Sequence, residues 1–108
     1  MRSVALALTA VLLGTPHAIA QRTTSDALVA CERHAAVEFK RRNSAFRRFV
    51  IERSSVAVDR YAQKIGSQFV SAIYHGRASY DAGTGPKVVR FLCVYAMERG
   101  PLFVYALE

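Results

Sequence analysis

The chain has no apolar run long enough to cross a bilayer. A spanning helix needs about 20 mostly apolar residues. The longest candidate, Val4 to Leu13, meets Gly14, Pro16 and His17 after roughly half that length. Acidic residues are scarce, with 8 Asp and Glu against 15 Lys and Arg and a formal net charge of +7. Cysteine is limited to Cys31 and Cys93, with no CxxC, so neither a dithiol redox motif nor a cysteine-rich zinc module is encoded. The familiar catalytic and metal signatures are missing too. No GxSxG or SxxK places a serine nucleophile, and no HxxxH or DxDxDG spaces metal ligands. No internal repeat, linker or low-complexity segment divides the chain.

What the first twenty residues do contain is the pattern of an export leader. Arg2 supplies a basic start, Val4 to Leu13 a short apolar middle, and Ala18-Ile19-Ala20 a small-x-small end. This pattern predicts that residues 1–20 are a cleaved signal peptide and that the mature chain begins at Gln21. A retained anchor or a buried core helix are the competing readings of the run. Residue 21 is Gln rather than Cys, which argues against a lipoprotein. The expected location is periplasmic or secreted.

Removing twenty residues leaves 88, enough for a single domain over 21–108. The leader carries one cation, Arg2, so the remainder holds 14 Lys and Arg against 8 acids, a net +6. A chain of this size buries only about 60–65% of its unfolded surface, and its stability margin is thin. Two cysteines in an exported small domain predict one disulfide, Cys31–Cys93. Closing a loop of that length contributes about 4 kcal/mol in the chain-entropy model, comparable with the whole margin of such a domain.

Leu28, Cys31, Ala35 and Phe39 recur at spacings of three and four, one face of an amphipathic helix. The spacing predicts a helix over 27–42. Ser25 or Asp26 would cap it, 21–26 would be loose, and Asn43 would end it. Lys40, Arg41 and Arg42 in its last turn suit the negative end of the helix dipole. Residues 45–53 fit either a short helix or the opening of a strand from Phe49, with a bulge or bend at Ser54-Ser55. Gly66 marks a turn. Period-two alternation then predicts a long strand from Phe69 to Asp81, with Val70, Ala72, Tyr74, Ala78 and Tyr80 on one face. Gly76 shares that parity and can admit a large neighbour or a kink. Residues 81–86 form a turn, and a strand follows from Lys87 to Met97 with Val89, Phe91, Cys93, Tyr95 and Met97 on one face. Gly100 is free to take positive φ, and a last strand runs from Leu102 to Leu107.

Together these elements predict an α+β fold: one N-terminal helix on a three- to four-stranded antiparallel meander sheet, tied by a single disulfide. Cys31 on the helix stripe and Cys93 on the apolar parity of its strand place the bond across the helix–sheet interface. In general shape the arrangement resembles cystatin-like helix-on-sheet modules. The resemblance is architectural, and with no shared motif it transfers no residue roles.

Chemistry is sparse. His34 follows Cys31 by three positions and could share its side of the helix, but the disulfide would consume the thiol. His75 and Asp81 share a face yet lie six positions apart, about 20 Å along a strand, so His75 reads as a solvated face residue. Gly83-Thr84-Gly85-Pro86-Lys87 superficially imitates a phosphate loop, but Pro86 intervenes and a strand follows, so it reads as a hairpin turn. No metal and no cofactor are expected. Tyr74 and Tyr80, with Tyr95 and Tyr105, would form either core or an exposed aromatic strip, and the core reading is preferred.

The remaining signal is charge. Lys40, Arg41, Arg42, Arg47, Arg48, Arg53 and Arg60 cluster within 40–60, offset there by Glu52 and Asp59 and interleaved with Phe46 and Phe49. Basic and aromatic residues together bind nucleic acid, but an exported protein would meet other anions: lipid head groups, outer-membrane polysaccharide, peptidoglycan carboxylates or an acidic envelope protein. The expected function is thus a non-enzymatic binding or interaction module, with inhibition of an extracytoplasmic enzyme as one form of it. Arg41, Arg42, Arg47 and Arg48 are the candidate contact residues, and nucleic acid is not an expected physiological partner. The rivals are a small envelope hydrolase using His34 or His75 and a purely structural envelope protein.

Overall fold

The computed structural model describes residues 16–108, with side-chain surroundings from Thr24 onward except at Gln68. The apolar run of the expected leader lies outside the described residues.

Helix α1 spans Pro16–Arg42. Its buried stripe is Ala27, Leu28, Cys31, Ala35 and Phe39, the periodic face read from the spacing, while Arg33, Lys40 and Arg41 are exposed. The helix begins well before the expected start at Ala27. Residues 17–26 contain no glycine or proline to stop it, and Pro16 stands in the first turn, where a missing N–H costs no hydrogen bond. Ser25 and Asp26 therefore lie exposed within the helix rather than capping it. At the other end, Asn43 N–H still donates to the Phe39 carbonyl at 2.9 Å. The Asn43 side chain then accepts from Ala45 N–H and donates to the Ala82 carbonyl. The expected terminator thus also ties the helix end to a turn of the sheet.

Five strands follow: β1 Arg48–Ile51, β2 Ala57–Ile65, β3 Gln68–Asp81, β4 Pro86–Ala96 and β5 Gly100–Leu107. All pairings are antiparallel. β2 to β5 form a meander. β1 pairs with the last residues of β3, in the register Arg48↔Asp81 to Ile51↔Ala78, and β2 pairs with the earlier ones. β1 and β2 therefore occupy one edge of β3 in line, so the sheet is four positions wide. A 3₁₀ turn at Arg53–Ser55 separates them, at the place of the expected bulge or bend. The ambiguous segment 45–53 is a loop running into β1, not a second helix.

The break between β1 and β2 explains Gly76. A Cβ built there would lie 2.7 Å from both the carbonyl oxygen and the Oγ of Ser55. The same Ser55 Oγ accepts from Arg77 N–H at 2.8 Å. The glycine is the space into which the 3₁₀ turn presses. At the 81–86 turn, Asp81 Oδ1 accepts from the backbone N–H groups of Gly83 and Gly85 at 2.8 and 3.1 Å. Asp81 is the single buried charged residue among those described.

The helix-facing side of the sheet carries Phe49, Ile51, Ala72, Tyr74, Ala78, Val89, Phe91, Cys93 and Val104, all buried in one core with the helix stripe. Met97 does not continue the β4 face: the strand stops at Ala96 and Met97 projects from the next turn, 73% exposed. The sheet curls about the helix, so that α1 lies nearest the outermost strands β1 and β5. Cys31 and Cys93 are bonded, with Cα atoms 6.2 Å apart and no exposed surface. The bond joins mid-helix to mid-sheet, where the two apolar faces meet. Glu32 adds a polar tie beside it, accepting from Ile51 N–H at 2.7 Å and from two nitrogens of Arg53 at 2.9 and 3.1 Å.

Candidate functional site

The four arginines singled out by the sequence flank the connection between α1 and β1. Arg41 and Arg42 close the helix, and Arg47 and Arg48 enter β1. All four are exposed. Arg41 holds a surface ion pair with Glu38 at 3.0 Å. Arg42, Arg47 and Arg48 have no carboxylate partner within salt-bridge distance among the described residues. Arg42 borders a shallow depression of about 210 Å³ with Phe39, Asn43, Tyr80 and Tyr105. Surface ion pairs contribute little to stability, so leaving these cations unpaired costs the fold little and leaves their charge available.

The rest of the basic segment divides. Lys40 Nζ donates to the carbonyls of Ser44 and Phe46, at 2.8 and 3.3 Å, and so helps fasten the loop. Arg53 is committed to Glu32. Arg60 lies in the middle of β2, far along the chain from the helix end.

The aromatic half of the basic-aromatic reading is overturned. Phe46 and Phe49 are each 5% exposed. They pack edge-to-face on Phe39 at 5.7 and 5.5 Å, and Tyr80 joins them at 5.3 Å from Phe39. Rings enclosed in this way offer no face to a stacked base. Phe46 in the loop and Phe49 in β1 both turn their rings to Phe39, while Arg47 and Arg48 between them face outward. The tyrosines divide as well: Tyr74 is buried, Tyr80 and Tyr95 pack partly against the core, and Tyr105 is exposed.

His34 is half-buried on α1, three positions after a cysteine whose sulfur is bonded to Cys93. The Cys31–His34 pair therefore has no free thiol. His75 has a partner that the sequence did not reveal: its Nε2 lies 3.1 Å from Asp59 Oδ2 across the β2–β3 ladder, with both groups partly exposed. The signal was available only in the strand register. Ser71 and Ser79 share the His75 face of β3 but stand four positions away on either side, about 13 Å along a strand. No group of three or more potential metal ligands occurs among the described residues.

Burial raises the Tyr74 hydroxyl above its ordinary value of 10.0, and the nearby Arg60 guanidinium partly opposes this. Arg60 thereby marks the edge of a second feature, one the sequence did not suggest. The β2–β3 and β4–β5 turns enclose an open cleft of about 810 Å³. Its walls include Arg60, Lys64 and Arg99 together with Tyr61, Phe69 and Met97. These residues lie far apart in sequence, and only the meander brings them to one end of the sheet. No helix of the described residues is long and apolar enough to cross a membrane. Comparison with known protein families, curated proteins and solved structures finds no match to this chain.

Proposed function

We propose that the protein is a small exported binding module that engages an anionic envelope polymer through Arg41, Arg42, Arg47 and Arg48. The supporting observation is the exposure of Arg42, Arg47 and Arg48 without carboxylate partners at one end of a disulfide-tied scaffold. The loop between them, Asn43, Ser44 and Ala45, is exposed and small. Stable protein interfaces usually centre on large apolar anchors, and this loop has none. Charge without such an anchor favours a repeating polyanion over an acidic protein partner. Electrostatic contact of this kind raises encounter rates and weakens with salt.

The test is co-sedimentation of the oxidised protein with purified peptidoglycan and with outer-membrane polysaccharide. Changing all four arginines to Ser is expected to reduce binding at least about tenfold, the effect of losing several rim charges. Raising salt should mimic the substitution. Unchanged binding by a folded, disulfide-bonded variant would remove these residues as the site.

A further inference from the structure

We propose that the opposite end of the sheet, formed by the β2–β3 and β4–β5 turns, docks on the surface of an anionic lipid bilayer. Four large apolar side chains protrude there: Tyr61, Ile65, Phe69 and Met97 are 44, 57, 50 and 73% exposed. Ile65 immediately precedes the Gly66-Ser67 turn, and Met97 opens the β4–β5 turn. Arg60, Lys64 and Arg99 stand among them, with Glu98 as the opposing charge in the cleft.

The walls show what kind of occupant fits. A small-molecule pocket encloses most of its ligand. Here Ser71 and Ala96 are the only wall residues that are not exposed, so a small ligand would remain largely in water. The cleft is better described as a bristling surface than as a container. Apolar tips with cations among them match the bilayer interface, where side chains enter the acyl boundary and Lys or Arg meets anionic head groups. With Glu98 offsetting one of them, the three cations leave two net charges at the surface, which raise partitioning roughly 30-fold. The apolar tips give the contact a component that salt does not screen.

The chain has no tryptophan, so one introduced indole reports its own surroundings. Ile65→Trp is the probe, and Val88→Trp, at an exposed β4 position, is the control. Each is measured on the protein as purified, with its disulfide intact, against vesicles of phosphatidylcholine with and without phosphatidylglycerol. The expected result is a blue shift of the Ile65→Trp indole in the anionic vesicles and its quenching by brominated phosphatidylglycerol. The Val88→Trp indole should show neither change. A Lys64→Ser/Arg99→Ser pair should weaken partitioning roughly tenfold or more. An Arg42→Ser/Arg47→Ser/Arg48→Ser variant should partition as before, which separates this end from the polymer-binding one. Equal shifts in neutral vesicles, a shift in the control without one in the probe, or capture by poly-glutamate in place of vesicles would each overturn the proposal.

Discussion

Two residues show how much a single side chain, or its absence, decides. Gly76 lies on the buried parity of β3, and sequence alone marks it as a place where a neighbour can press in. The neighbour, Ser55, belongs to a turn whose position depends on β1 and β2 sharing one strand edge, so no local pattern names it. Because backbone atoms of Ser55 are part of the obstruction, Gly76→Ala is expected to destabilise the fold by about 1–3 kcal/mol, read as a lower urea midpoint at unchanged slope. Tyr74 offers a different handle. Its hydroxyl is raised above 10.0 in the folded state by burial, so the folded protein holds that proton more firmly than the unfolded chain. The corresponding stability is intact below pH 10 and is lost as pH climbs from there through the folded value. Tyr74→Phe should remove that part of the alkaline loss and leave the rest of the pH profile alone. A parallel decline in both proteins would contradict it.

The elements differ in how openly they announce themselves. α1, β3 and β4 are legible because each repeats its apolar residues at its own period, with one face turned to a single core. β2 is hard to delimit because it has almost no buried face: Val58 is its one residue that is not exposed. The start of α1 is not legible because Ser25 and Asp26, which suit a cap, are also tolerated on an exposed helix surface, where both lie. The Cys31–Cys93 bond joins two legible elements, so its pairing follows from their faces. The cysteines are 62 positions apart, and opening that loop should cost about 4 kcal/mol. A Cys31→Ala/Cys93→Ala double variant is expected to unfold at markedly lower urea concentration than the oxidised protein. An unchanged midpoint would show that core packing alone holds the helix on the sheet.

The whole molecule carries charge at both ends, in different settings. Near the helix terminus the cations flank a loop of small side chains, Asn43, Ser44 and Ala45, with Tyr105 beside Arg42. At the turn end they stand among exposed apolar side chains. The first group is visible in sequence because its members are nearly contiguous. The second is invisible there because Arg60, Lys64 and Arg99 meet only after two hairpins have formed. The leader reading concerns the same scale. A mass measured with and without reductant should match a chain starting at Gln21, lighter by two hydrogens in the oxidised form. A mass corresponding to Met1 would reject the cleavage, and no change on reduction would reject the bond.

The placement of the disulfide also sets an order of events during biogenesis. Its first cysteine lies in α1 and its second in β4, so β1, β2 and β3 are all synthesised before the second arrives. A chain that stops short of Cys93 includes the helix and the first three strands in its sequence yet lacks the covalent closure. The bond thus records that the chain extends through Cys93, within β4. A gel shift between thiol and disulfide forms, read on chains stopped at successive lengths, should show the bond only in those that include Cys93.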